Sequence, residues 1–186
     1  MTRLFVAFAV PGGVRDALDG AVAPLRERHD ELRWARPASW HVTLAFLGEL
    51  PVGARIRAVG ALHRATRNAP SCPVTLSGRL GRFGHRVLWA AVDSPDAALD
   101  TLVTRIRREL ASARLPVDDR PFRPHLTLAR GRRGLSLPGA RIVTAPGLPC
   151  TWPVSVVALM ASSSGGRRNG YRTVATWPLA AGGADA

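Results

Sequence analysis

Two short runs, His41-Val42-Thr43-Leu44 and His125-Leu126-Thr127-Leu128, restrict what this chain can fold into more than any other feature. In an extended strand successive side chains point to opposite faces, so His41 and Thr43 share one face while Val42 and Leu44 share the other. The second run divides in the same way, with His125 and Thr127 in front and Leu126 and Leu128 behind. His125 follows His41 by 84 residues. That separation predicts a duplicated unit, and it is too long, with too few copies, for a solenoid. Each unit must bury an apolar back and keep a polar front. An α+β architecture meets this need, as a bilobal duplicated fold with two mainly antiparallel sheets facing a central cleft and helices packed outside.

The segments around the motifs support that plan. Residues 3–10 form a strand stopped by Pro11. Val14, Leu18, Val22 and Leu25 recur at helical spacing, and Pro24 is expected to end or bend that helix early. Residues 34–40 approach the first motif strand, 41–47, which Gly48 ends. Val52, Ile56, Val59 and Leu62 predict the apolar face of a second helix. Residues 73–80 and 87–92 read as paired strands around a turn-rich segment, where Gly78, Gly81 and Gly84 serve a bend. Ser94 as cap and Pro95 at the first position open a third helix, with Leu99, Leu102, Val103, Ile106 and Leu110 inward. An extended connection over 116–124 leads to the second motif strand, 125–129. Residues 131–149 are expected as a surface loop, and 154–160 and 171–177 as the last strands around a polar turn at Ser162 to Gly166. Residues 1–180 form one expected domain and 181–186 a disordered tail.

Composition narrows the class further. With 186 residues, 46% of them hydrophobic, the chain can bury a core. No apolar run approaches the roughly 20 residues of a membrane span. The opening stretch has a single Arg, a short apolar core and Pro11-Gly12-Gly13 where a signal cleavage site would fall, so it reads as a strand. Cys72 and Cys150 are expected as free thiols of a reduced compartment, which points to the cytoplasm. The net charge is +13, and all 26 basic residues are Arg. A coding bias and a guanidinium-rich surface for phosphates explain this equally well. The absence of lysine excludes a P-loop and any covalent lysyl intermediate.

One His-x-Thr in a strand is weak evidence of function, whereas two copies in matching apolar context point to chemistry. A metal site is not expected: His29, His63 and His85 supply neither a His-x-His nor a His-x-x-x-His pair, and a catalytic zinc needs three convergent ligands. No Gly-x-Ser-x-Gly elbow is present. Two imidazoles and two hydroxyls on adjoining strands suit acid–base cleavage of a phosphodiester, because an imidazole with a pKa of about 6.5 can give or take a proton near neutrality.

The runs Trp40-His41-Val42-Thr43-Leu44-Ala45-Phe46-Leu47-Gly48-Glu49 and Arg120-Pro121-Phe122-Arg123-Pro124-His125-Leu126-Thr127-Leu128-Ala129-Arg130, with the opening Arg3-Leu4-Phe5-Val6-Ala7, resemble the bacterial and archaeal RNA 2′,3′-cyclic phosphodiesterases. These belong to the 2H phosphoesterase superfamily and were first named 2′-5′ RNA ligases. The resemblance runs from Thr2 to about Trp177. It implies a central cleft lined by the two His-x-Thr strands, no metal, no ATP, and hydrolysis of a terminal 2′,3′-cyclic phosphate on RNA to a 2′-phosphomonoester, with reverse 2′-5′ ligation. It further implies His41 as proton donor to the leaving 3′ oxygen and His125 as acceptor from water. Thr43 and Thr127 would bind the non-bridging oxygens, and Arg130 would either add a charged contact or be a solvated surface residue. Trp34 and Tyr171 are candidates to stack on a terminal base, while Phe46 is expected in the core. The chain departs from the family pattern near the C-terminus, where an arginine-rich turn precedes Tyr171. A monomer free of membrane contact is expected, and a non-catalytic arginine-rich RNA-binding module is the alternative.

Overall fold

The computed structural model describes residues 2–118, 120–131, 148–163 and 170–181. Along them run β1 (Thr2–Ala9), α1 (Gly12–Arg28), β2 (Arg33–Trp34), a 3-10 turn (Pro37–Ser39), β3 (His41–Glu49), α2 (Val52–Thr66), β4 (Cys72–Phe83), β5 (Val87–Asp93), α3 (Ala98–Ser112), β6 (His125–Arg130), β7 (Cys150–Val154), β8 (Val156–Ser163) and β9 (Tyr171–Pro178). The strands lie in the order β7-β4-β5-β6-β3-β1-β8-β9, with β2 beside β6. Their pairings are antiparallel, so the α+β class with antiparallel sheet stands.

This nine-stranded sheet consists of a half of four strands, β3-β1-β8-β9, and a half of five, β7-β4-β5-β6 with β2, joined where β3 meets β6 at the single pair Val42 and Leu126. The expected duplication is visible in the connectivity. β1-α1-β3 and β5-α3-β6 are each a strand, a helix and a motif strand that returns antiparallel beside its leader, pairing Ala9 with His41 in one half and Ala91 with His125 in the other. Behind the sheet, Leu4, Val6, Phe8, Val42, Leu44, Leu88, Ala90, Leu126 and Leu128 merge with Leu18 and Val22 of α1 and Leu99, Ile106 and Leu110 of α3 into one core. Each such fully buried Leu contributes roughly 1.5–3 kcal/mol. The motif strands are thereby anchored from behind and keep their polar faces forward.

Several expectations are corrected. Pro24 neither ends nor interrupts α1, which continues to Arg28. Its ring is on the exposed side, and the residue whose carbonyl loses its helical partner is Gly20, which is also exposed, so that acceptor is not sealed in the core. Buried Val22 and Leu25 hold the last turn. On α2 most of the stripe read as inward is outward: Val52, Ile56 and Val59 are 71%, 69% and 39% exposed, and of the four only Leu62 is buried. The buried face is Ala54, Ala58, Ala61, Leu62 and Ala65, small residues that bring α2 close against α3. The third helix begins at Ala98 rather than after Ser94, because the Asp96 carboxylate accepts the Ala98 N–H while Ser94 bonds the Asp96 carbonyl. Cys150 opens the unforeseen edge strand β7, on which Pro153 is tolerated. Ser162 and Ser163 end β8 instead of forming a turn. The rest of that turn, most of the 131–149 loop and the tail from 182 lie outside the described residues. Both cysteines are free, and burial pushes the Cys72 thiol up to about 11. Among the described residues no helix is long and apolar enough to cross a membrane.

Candidate active site

One irregularity, present in both halves, shapes the site. β1 and β3 pair Val6 with Ala45 but Ala7 with Thr43, so Leu44 is an extra residue. β5 and β6 pair Leu88 with Ala129 but Trp89 with Thr127, so Leu128 is extra in the same way. A bulge of this kind reverses the facing of everything after it. Ala45 and Ala129 therefore join Leu44 and Leu128 in the core, and the next residues, Phe46 and Arg130, turn to the face that carries the histidines. Phe46 is 54% exposed, which corrects the core expectation. Regular alternation would have buried it with Val42 and Leu44.

Across Val42 and Leu126 the two motifs run in opposite directions, so the polar face presents His41 and Thr43 from β3 beside Thr127 and His125 from β6. Each imidazole is fixed by the same device. His41 Nδ1 lies 2.8 Å from the Ser39 carbonyl and His125 Nδ1 lies 2.6 Å from the Arg123 carbonyl. A carbonyl can only accept, so Nδ1 carries the hydrogen in both rings and Nε2 is left for chemistry. The 3-10 turn presents the first carbonyl. The second is presented by the residue before Pro124, a position biased to extended backbone. Among the described residues neither Thr43 nor Thr127 has its hydroxyl engaged in a hydrogen bond.

Aromatic rings hold both histidines. Phe5 lies 4.9 Å from the His41 ring and Tyr171 meets it edge-on at 4.8 Å. Phe83 meets His125 edge-on at 4.7 Å, with Trp89 at 6.1 Å. A Cβ at Gly81 would fall 2.2 Å from the Trp89 ring, so glycine is what lets that indole lie over β4. Phe5, Phe83 and Trp89 were not anticipated from the sequence. Their signal is positional: Trp89 alternates with Leu88 and Ala90 and therefore faces the cleft.

Burial is the main cause that holds both imidazoles below their ordinary pKa, against the opposing effect of the two carbonyl bonds. The positive charge of Arg130 lowers both further, and that of His125 lowers His41. Arg130 thus acts on both rings, one on each motif strand. Trp34 is not brought to this group. It pairs with Ala129 and so follows that residue to the apolar side, its indole N–H donates to the His29 carbonyl at 2.8 Å, and Arg26 covers its ring. His29 is beside Glu31, His63 is on α2, and His85 is at the exposed β4–β5 turn. Among the described residues no three His, Cys, Asp or Glu side chains form a group that could hold a metal ion.

The sequence model of the 2′-5′ RNA ligase superfamily matches residues 14–166. An RNA 2′,3′-cyclic phosphodiesterase of Escherichia coli is 29% identical over 95% of this chain and 96% of its own length. One of Thermus thermophilus is 31% identical over 86% of this chain and 81% of its own. Against one of Geobacillus stearothermophilus the match, at 33% identity, spans only 33% of that protein's length. The crystal structure of Escherichia coli LigT complexed with 3′-AMP superposes with a TM-score of 0.75 at 27% identity, covering 96% of this chain and 98% of that one. A Thermus thermophilus crystal structure gives a TM-score of 0.77 at 27% identity, covering 95% and 97%. With two matching His-x-Thr strands meeting at one backbone pair, and a family match over most of its length, this chain belongs to the 2′-5′ RNA ligase superfamily, within the 2H phosphoesterases.

Proposed function

We propose that this protein is an RNA 2′,3′-cyclic phosphodiesterase, hydrolysing a terminal 2′,3′-cyclic phosphate to a 2′-phosphomonoester with side chains alone. The observation that carries the reading is the pair of imidazoles, each clamped at Nδ1 by a carbonyl two residues upstream so that both Nε2 atoms are free on one face. His41 starts protonated and His125 neutral. His125 Nε2 takes a proton from the attacking water as its oxygen bonds to phosphorus, and the bond from phosphorus to O3′ breaks as His41 Nε2 delivers its proton to that oxygen. The product is a 2′-phosphomonoester beside a 3′-hydroxyl, and the two histidines regain their starting states by proton exchange with water. The anionic substrate offsets the depression of the His41 pKa and so favours the protonated form it must start from. Thr43 and Thr127 donate hydrogen bonds to the non-bridging oxygens, where charge accumulates, and Arg130 adds a guanidinium. The donor and acceptor roles follow the family resemblance.

With the 5′-hydroxyl of an RNA in place of water as the nucleophile, the same step forms a 2′-5′ linkage and frees the 3′-hydroxyl. With no nucleotide to drive it, ligation only approaches equilibrium, and hydrolysis dominates in dilute solution. The protein is read as a monomer of the cytoplasm, where its two free thiols stay reduced. The test is incubation with an RNA ending in 2′,3′-cyclic phosphate in excess EDTA, followed by assignment of the product phosphate. A 2′-phosphate is expected. No product, or product only on adding metal, removes the reading. Salt-sensitive RNA binding without turnover, indifferent to His41→Ala, would identify a binding module instead.

A further inference from the structure

Arg33 lies directly across from Arg130 in the short β2–β6 ladder, as Trp34 does from Ala129. Paired residues of an antiparallel ladder put their side chains on one face about 5 Å apart, and the β6 bulge has turned Arg130 to the imidazole face. Arg33 therefore shares that face, one strand beyond Arg130. Both are exposed, and among the described residues no carboxylate pairs with either, whereas Arg3, Arg26, Arg79 and Arg120 each have an acidic partner. Like charges placed opposite each other in a ladder destabilise it, so this row gains most from a ligand that brings negative charge. An RNA whose terminal cyclic phosphate is held by the histidines and Arg130 carries its next negative charge one nucleotide away, towards its 5′ side.

Resting on the hydrolytic reading above, we propose that Arg33 binds the phosphodiester on the 5′ side of the terminal nucleotide, making the preferred substrate an oligonucleotide of two or more residues rather than a nucleoside cyclic phosphate. Its planar guanidinium can take two non-bridging oxygens at once.

The test compares three substrates: a nucleoside 2′,3′-cyclic phosphate, a dinucleotide ending in the same group, and that dinucleotide with its internal diester replaced by an uncharged methylphosphonate. For the unaltered protein, kcat/KM on the charged dinucleotide should exceed that on the nucleoside by about tenfold, the scale of one charge-assisted contact. The methylphosphonate should forfeit most of that gain. In Arg33→Ala the ratio of dinucleotide to nucleoside should fall toward one and the methylphosphonate swap should no longer matter, while Arg33→Lys should keep part of the ratio. The salt dependence of dinucleotide binding should weaken by about 0.7 in log–log slope, the value for one phosphate of a single strand. Equal turnover of diester and methylphosphonate by the unaltered protein overturns the proposal. So does an Arg33→Ala protein slowed alike on all three substrates. No turnover of any substrate by the unaltered protein is a different result: it overturns the hydrolytic reading, and this assignment with it.

Discussion

In the half that carries His41, the residue turned to the cleft by the bulge is Phe46; in the half that carries His125 it is Arg130. One strand further out the halves differ again. Opposite Thr43 stands Ala7, itself paired with Ala158, and opposite Thr127 stands Trp89, paired with Gly81. The backbone devices are repeated, namely the motif strand, the extra Leu, and the carbonyl clamp two residues before each His. What differs is the side-chain chemistry they deliver. The duplicated frame is symmetric at the imidazoles and differs beside them, where the bulge turns an aromatic ring to the cleft in one half and a guanidinium in the other.

The symmetric part makes the largest prediction. If the imidazoles act in one concerted step, His41→Ala and His125→Ala should each lower kcat by about 10² to 10⁴. The double variant should lose far less than the product of the two, since residues acting as a unit are not additive. A substrate with a nitrophenolate leaving group needs little protonation and should restore much of the rate to the donor variant alone. Rescue of His125→Ala instead would exchange the two roles, and rescue of neither would end the division between donor and acceptor.

Removing the charge from one half comes next. Arg130→Ala should lower kcat by roughly 10- to 100-fold, below the range for a fully buried donor because the guanidinium is exposed. It should also move the acidic limb of the kcat/KM profile to higher pH, because Arg130 lowers both imidazoles. The same depression sets a stability trend. A base whose folded pKa lies below its unfolded value of about 6.5 binds fewer protons when folded, so its contribution is complete above that pH and is lost as pH falls below it. Urea midpoints measured downward from neutral pH should fall less steeply in a His41→Gln His125→Gln protein. An unchanged slope would mean the imidazoles are not depressed.

A smaller effect distinguishes the outer pairs. Gly81→Ala forces the Trp89 ring away from a Cβ that would sit 2.2 Å from it, at a cost of about 1–3 kcal/mol in a denaturant titration. At the matching site of the other half, Ala158→Gly should cost only about 0.5–1 kcal/mol, the backbone penalty of glycine in a strand. Equal losses would show that Trp89 does not depend on Gly81.

The sequence disclosed the face that carries the histidines because alternation is a local property: two His-x-Thr runs in apolar context name their own front and back. The helices at 98–112 and 12–28 were legible for the same reason, through Leu99, Ile106 and Leu110 in one and Val14, Leu18 and Val22 in the other. α2 was misjudged because its close approach to α3 selects alanine, and alanine gives a weak periodic signal beside branched residues that happen to face water. Phe46 and Arg130 were unreadable or ambiguous because a bulge reverses parity, and an extra residue is defined only by its partner strand. Trp34 looked like a stacking candidate because nothing in its own neighbourhood shows that β2 pairs it with Ala129 on the apolar side.

Phe46 gives the smallest effect and the sharpest division between the halves. Its ring is more than half exposed and packs at 6.4 Å from Phe5, so Phe46→Ala should change stability by no more than about 0.5 kcal/mol. If it stacks on a base, the loss should be about 1 kcal/mol, the low end for such contacts, roughly fivefold in binding. Stacking holds ground state and transition state alike, whereas the role proposed for Arg130 is exerted where charge grows on the phosphate. Phe46→Ala should therefore raise KM and leave kcat in place, and Arg130→Ala should chiefly lower kcat. The comparison is measured on one RNA substrate at one salt concentration. If Phe46→Ala lowers kcat as Arg130→Ala does, the ring is positioning the reacting phosphate, and the apolar and charged halves are not doing different work.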